Sequence, residues 1–422
     1  MNSESLIKQA RDILEANDRG GYTIPTSGLY PYQWNWDSAF SAIGWLNFNP
    51  ERALCEIDLL LGGQWDNGMI PHILFHKTDP GYFPGPDYWK AGAKTPSSGY
   101  SQPPVLAMAV KKIYDRLPGP DIRKKVQDYF PKLMAYHRWF WKERNPTGKG
   151  LICILHPWES GRDNLPDWDS GMKDVDVSAV KEFKRKDTQH VNSAMRPLED
   201  DYRRYLALVE LGKGTGWNSE KMMHLQPFLM VDVLMTFVLL RANKDLLELA
   251  EKLNLKKEAG EIAGWIETAT KHYDELWNPA KEAYCTLDLK KNRHVDYVNA
   301  GTFAALFADD LPREKITRLC EIFGNWTREA RYSVPSMDPA DPMFEEKRYW
   351  RGPIWLQMNY LIREGFLNHG KTAEAARILN DSRELIQKSG FWEYFSALNG
   401  EGLGGGAFSW TAAVYIDWQN TP

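Results

Sequence analysis

Two acidic residues stand among neighbours that suit neither a plain core nor a plain solvent loop. Asp163 ends the run His156-Pro157-Trp158-Glu159-Ser160-Gly161-Arg162-Asp163 and is followed by Asn164. Glu393 lies in Gly390-Phe391-Trp392-Glu393-Tyr394-Phe395. Tryptophan offers a flat apolar face with one N–H donor, and a carboxyl grips hydroxyls or moves protons. Together they suit a sugar ring, with its apolar face and rim of hydroxyls. Splitting a glycosidic bond takes two such acids. One protonates the leaving oxygen; the other activates water or attacks the anomeric carbon. Aromatics on both sides of Glu393 predict a desolvated carboxyl with a raised pKa. The plainer alternatives are capping or Arg162 pairing by Glu159 or Asp163, and a surface position for Glu393. Spacing says nothing of the separation of the two acids, so residue types alone leave inversion and retention open.

Other clusters point the same way. Tyr30-Pro31-Tyr32-Gln33-Trp34-Asn35-Trp36-Asp37 offers a stacking ring and a carboxylate, although Asp37 also reads as a helix N-cap. Arg348-Tyr349-Trp350-Arg351-Gly352-Pro353-Ile354-Trp355 places aromatics and arginines before Pro353, which reads as the first residue of a helix. The alternative there is a packed loop with Arg on Trp. His72 and His76 are four apart but follow Pro71 without helical context or a third ligand, so no metal site is expected. The glycines of 399–406 have no Lys-Ser/Thr after them and no strand–loop–helix frame. They read as a tight fold-back, not a phosphate loop, and no cofactor is implied.

The elements that must position these residues are helical. Apolar periodicity predicts helices over 6–16, 37–45, 50–62, 102–114, 121–141, 197–211, 222–242, 243–275, 299–307, 312–323, 353–364, 372–388 and 409–417, with few strands. Terse turns, such as Asn47-Phe48-Asn49 and Asn243-Lys244, alternate with long aromatic connections at 64–101, 146–193 and 324–352. Long loops in a compact domain are usually functional. The pattern predicts one domain over 1–422, an all-α toroid of helical hairpins with the site at one mouth.

Composition narrows the partners. The 422 residues carry 52 Lys+Arg against 56 Asp+Glu, a formal charge of −4, and the basic residues are scattered. Nucleic acid is therefore not an expected partner. Residues 1–10 have no apolar leader core, and the apolar run 227–240 is broken by Asp232 and too short to span a bilayer. Four separated cysteines, Cys55, Cys153, Cys285 and Cys320, read as buried free thiols in a cytoplasmic protein. Oligomeric state is not legible. There are 18 Trp, and Trp34, Trp36, Trp65, Trp89, Trp158, Trp168 and Trp350 stand beside Gly, Pro, Asp or Gln, which predicts roles outside the core.

The chain resembles glycoside hydrolase family 63, the inverting α-glycosidases built on an (α/α)6 barrel, and above all its short bacterial members acting on mannosylglycerate or glucosylglycerate. The resemblance spans nearly the whole length. It rests on the blocks 30–37, Ser101-Gln102-Pro103-Pro104, 156–164, 349–355, and Glu393-Tyr394 leading to Phe408-Ser409-Trp410-Thr411. It implies that Asp163 is the general acid and Glu393 the general base, with Glu159 in support. It further implies that Tyr30, Trp34, Asp37, Gln102, Trp158, Arg196 and Trp355 shape the sugar pocket. Tyr82, Tyr202, Tyr349 and Trp350 would lie on the leaving-group side. A glycerate leaving group wants a cation and hydroxyl donors, which Arg196, Tyr202 and Tyr349 could supply. Larger members carry an added β-domain; none is visible here, which favours a small soluble glycoside as the partner molecule. The rival expectations are an α-glucosidase of the same fold acting on kojibiose or trehalose, a sugar epimerase, and a non-catalytic sugar-binding protein. Epimerases of this architecture use paired His bases. Of nine His, only His156 falls in these motifs.

Overall fold

The computed structural model describes residues 3–92, 94–308 and 311–420. Its helices are α1 (Ser3–Asn17), α2 (Asn35–Leu46), α3 (Pro50–Gly62), α4 (Pro86–Trp89), α5 (Leu106–Arg116), α6 (Pro120–Glu143), α7 (Asp169–Met172) and α8 (Glu199–Gly214). There follow α9 (Ser219–Leu225), α10 (Val233–Lys252), α11 (Lys256–His272), α12 (Ala304–Ala308), α13 (Arg313–Glu329), α14 (Leu356–Asn368), α15 (Thr372–Ser389) and α16 (Ser409–Trp418).

Packing closes these helices into a ring. α2, α5, α10, α12, α14 and α16 each lie against the next, and α16 returns to α2. Outside them, α1 covers α16, α3 covers α2, α6 covers α5, α11 covers α10 and α15 covers α14. α13 completes the outer layer: Phe323 meets Phe303 and Phe366. This is the (α/α)6 barrel expected from the sequence. The reason for two layers is legible in the burial. Every residue of α2 and of α16 is buried, as only a helix surrounded by others can be. The outer α13 buries just Leu319, Ile322, Phe323 and Trp326, one stripe at helical spacing.

Strands are short, and two of them, β1 and β9, carry cavity-lining residues. β1 (Gln33–Trp34) pairs with β2 (Ile73–Leu74). β3 (Cys153–Ile154), β4 (Met230–Val231), β7 (Leu287–Asp288) and β8 (Arg293–His294) form one antiparallel sheet, and β5 (Trp277–Asn278) pairs with β6 (Ala283–Tyr284). β9 (Trp392–Phe395) pairs with β10 (Gly402–Gly406).

Several expected boundaries move. The helix expected over 222–242 is two pieces. α9 stops at Leu225, β4 intervenes, and Asp232 caps α10 by accepting the Leu234 N–H at 2.9 Å. Asn243-Lys244 is not a turn. Asn243 is buried inside α10, and its side-chain oxygen meets Nδ1 of His137 at 2.7 Å. The break comes at Asn254, whose φ of 62° only Gly and Asn adopt readily. Pro353 does not begin a helix: Ile354 bridges Pro335 and Phe395, and α14 starts at Leu356. Asp37 is not the N-cap of α2, because Trp34 holds that place and Asp37 lies inside the first turn. Trp36, Trp89, Trp168 and Trp350 are fully buried, so the aromatic loops are themselves part of the core. Cys153 and Cys285 are buried as expected, whereas Cys55 is exposed and Cys320 half-buried; all four are free.

Candidate active site

The segment carrying Asp163 is held from behind, residue by residue. Pro157–Ser160 form one 3-10 turn. His156 opens it, accepting the Trp158 N–H on Nδ1 at 3.0 Å. Burial pushes its pKa down to about 3, so it stays neutral, and Nε2 donates to the Tyr205 carbonyl at 3.0 Å. Glu159 accepts both Nε and Nη2 of Arg144, at 2.9 and 2.7 Å, and the Leu155 N–H at 2.7 Å. These bonds tie the Glu159 carboxylate to Arg144 and to the backbone before the turn. Gly161 turns the chain at φ 65°, where a Cβ would lie 2.7 Å from the Trp36 ring. Arg162 points inward, pairing with Asp232 and donating to Asn299 Oδ1 at 2.5 Å. The Asp163 carbonyl accepts from Tyr205 OH at 2.8 Å, and Asn164 accepts the Trp350 N–H at 2.9 Å. With its neighbours anchored, Asp163 alone lines the cavity with a carboxyl from this turn.

Glu393 comes from β9, not from a loop. Its Oε1 accepts from Tyr30 OH at 2.9 Å and Tyr349 OH at 3.4 Å. Its Oε2 accepts the Gly405 N–H at 3.0 Å. Gly404 has φ 74°, and a Cβ there would sit 2.4 Å from Oε2. The glycines of β10 thus let backbone approach a carboxylate closely. Tyr349 itself sits at φ 42°, strained for a tyrosine. It is held by Trp355, which donates to its carbonyl at 3.1 Å.

Burial decides the protonation of these acids. It raises Asp163 to about 7; Arg196 opposes the rise and Glu393 adds to it. Glu393 is also raised by burial, against the pull of Arg196 and its hydrogen-bond donors. Asp37 is pushed well above the carboxylate range by burial. Burial thus makes Asp163 and Asp37 readier than an exposed aspartate to hold a proton.

The cavity together with its open mouth spans about 860 Å³. Of the site residues expected from the sequence, Tyr30, Trp34, Asp37, Tyr82, Gln102, Trp158, Asp163, Arg196, Tyr202, Tyr349, Trp355 and Glu393 line it. Trp350 does not. It lies behind Trp355, stacked at 3.9 Å and 5°, and makes the pocket wall rigid instead of touching its contents. Tyr202 lines the cavity, but its hydroxyl proton goes to the Phe83 carbonyl at 2.9 Å, which leaves it an acceptor and not the donor expected. Trp36, His72, Trp410, Lys186, Asp187 and His190 also line the cavity and were not expected there. Trp410 belongs to the block 408–411 and was legible. Lys186, Asp187 and His190 come from the 146–193 connection, where no motif marks them. Arg196 is buried with Nη1 lacking a hydrogen-bond partner, a donor left for something in the pocket. Among the described residues no group of His, Cys, Asp and Glu is arranged to hold a metal, and no helix is long and apolar enough to cross a membrane.

Residues 30–411 match the model of the mannosylglycerate hydrolase MGH1-like glycoside hydrolase domain. Mannosylglycerate hydrolase MGH2 of Selaginella moellendorffii is 40% identical over 98% of this chain and 85% of its own. A mannosylglycerate hydrolase of Thermus thermophilus is 41% identical over 97% of this chain and 99% of its own. The crystal structure of a family 63 mannosylglycerate hydrolase of Thermus thermophilus, in complex with Tris and D-glycerate, superimposes with a TM-score of 0.95 at 41% identity. That match covers 98% of this chain and all of the other.

Proposed function

Since the chain belongs to the MGH1-like glycoside hydrolases of family 63, we propose that it cleaves a 2-O-α-glycosylglycerate with inversion, using Asp163 as general acid and Glu393 as general base. The observation that carries this reading is one aromatic cavity holding two carboxyls with opposite tasks. Burial raises Asp163 to about 7, so a large share of it holds a proton near neutral pH. Glu393 is fixed by Tyr30, Tyr349 and Gly405, all donors that favour its ionised form.

The chemistry follows from these placements. Asp163 gives its proton to the glycosidic oxygen as the bond to the anomeric carbon breaks. Glu393 takes a proton from water, which attacks that carbon from the opposite side and leaves a β-sugar. Gln102 lends its carbonyl oxygen to the Trp36 N–H at 3.3 Å, so its amide N–H groups are turned to sugar hydroxyls. Asp37 meets a hydroxyl pair from the far side of the ring. Trp34, Trp158 and Trp355 supply apolar faces. The glycerate carboxylate pairs with Nη1 of the buried Arg196, which has no hydrogen-bond partner, through a charge-assisted bond. Mannosylglycerate is the first substrate to offer, after the names of the relatives, and glucosylglycerate the second.

Proton NMR of the first minutes of hydrolysis tests both parts. β-Sugar and D-glycerate must appear together. An α-anomer as first product rules out inversion. Turnover of kojibiose or trehalose in preference to both glycosylglycerates rules out the substrate class.

A further inference from the structure

Arg196 forms an ion pair with Glu393 that stops short of a hydrogen bond. Its Nη1 is 3.5 Å from Glu393 Oε1, and the two are not hydrogen-bonded. Asp187 holds it back. Oδ2 of Asp187 accepts Nε of Arg196 at 3.1 Å and Nη2 of Arg185 at 2.6 Å, while Oδ1 accepts Nε of Arg185 at 3.1 Å. Arg185 is itself tied down, donating from Nη1 to the Pro197 carbonyl at 2.6 Å and lying 4.6 Å over the Tyr202 ring. The brace therefore grips the chain on either side of Arg196. The guanidinium is also seated 4.1 Å from the Tyr349 ring centre.

We propose that Asp187 is a positioning residue, which keeps the Arg196 guanidinium shared between Glu393 and the incoming carboxylate instead of closed onto Glu393. This rests on the reading of Glu393 as base and Arg196 as the seat of the glycerate carboxylate. Among the described residues Arg196 is paired with only two carboxylates, Asp187 and Glu393. Remove the first and the cation goes to the second. Nη1 is then consumed in a hydrogen bond, and the existing ion pair with the base tightens.

The electrostatics give the sign. Glu393 is faced by the charge of Arg196, the carboxyls of Asp37 and Asp163, the hydroxyls of Tyr30 and Tyr349, the phenol of Tyr394, and the Gly405 N–H. Asp163 is faced by Arg196, Glu393 and Asp187, and by the phenols of Tyr82, Tyr202, Tyr205 and Tyr349. Loss of the Asp187 charge favours ionisation of Asp163, and a tighter Arg196 favours ionisation of Glu393. Both limbs of the pH profile then move to lower pH.

The experiment compares wild type, D187N and D187E on a 2-O-α-glycosylglycerate and on the matching glycosylglycerol, whose aglycone is neutral. Circular dichroism checks the fold. For D187N, KM for the charged substrate rises about tenfold more than KM for the neutral one, both pH limbs move down, and D187E recovers most of each effect. Equal KM changes on both substrates with unmoved limbs overturn the proposal, since a wall that merely sags does not read aglycone charge. If D187N does not fold, D187E against wild type carries the comparison, with the same sign and smaller size. Wild-type enzyme inert on both substrates refutes the functional reading alone. Calorimetry of D-glycerate against glycerol then decides: weaker D-glycerate binding in D187N supports the role of Asp187, and unchanged binding overturns it.

Discussion

Replacing Asp163 with Asn keeps the shape of the side chain and takes away its proton. At an ordinary pKa of 3.8 only roughly one molecule in 1,600 would carry that proton at pH 7. At the folded value of about 7, about half do. The cavity thus raises the working fraction of acid by nearly three powers of ten before any geometry is considered. General-acid help is worth about 10² to 10⁴ in rate when the leaving group is an alkoxide. D163N is therefore expected to lose about 10² to 10⁴ in kcat on a glycosylglycerate. The assay adds the corresponding α-glycosyl fluoride, whose leaving group departs without a proton. On the fluoride D163N stays within about tenfold of wild type, and the basic limb near pH 7 disappears. An equal loss on both substrates refutes the assignment, because Asp163 would then be holding the sugar or the fold and not delivering a proton.

Three further outcomes follow from the same contacts. The folded pKa of Asp163 lies above its unfolded value of 3.8, so its contribution to stability is fully present below that value and is lost progressively until pH has risen through about 7; thermal melts should show D163N gaining on wild type between about pH 4 and about pH 7 and no further above that. Arg162→Met strands the buried Asp232 carboxylate and should cost about 3–5 kcal/mol in urea unfolding; a loss below about 1 kcal/mol would mean that Asp232 is neutral in the fold. Gly404→Ala places a methyl against Glu393 Oε2 at a backbone angle suited to glycine, so kcat should fall by at least about tenfold while far-UV circular dichroism is unchanged; full activity in that variant would show that Glu393 has room to move.

Much of this architecture could be read from residue order. Helical periodicity and the interleaving of terse and long connections pointed to the barrel, because inner and outer helices differ in how many faces they bury. Boundaries failed where a polar residue had a tertiary partner. Asn243 looked like a break and proved to be a buried companion of His137. Asp232 looked like an interruption and proved to be a cap. The pocket was legible where aromatics crowd around acids, as at 30–37 and 156–164. It was not legible at Asp187, since charged residues in a motif-poor connection acquire meaning only from what folds over them. Trp350 shows the converse: a residue of a recognised block can stiffen a wall without facing the cavity.

α16 packs onto both α1 and α2, so the last helix of the chain seals against the first two. A nascent chain that has emerged as far as α15 already carries Asp163, but neither β9 nor the helix that seals the ring. Its acid turn has no partner acid, and the apolar flanks of α1 and α2 lack their cover. On the proposed assignment of Glu393, hydrolytic competence therefore waits for the stretch from β9 to α16. Truncation before α16 should give an insoluble protein sooner than a weak enzyme.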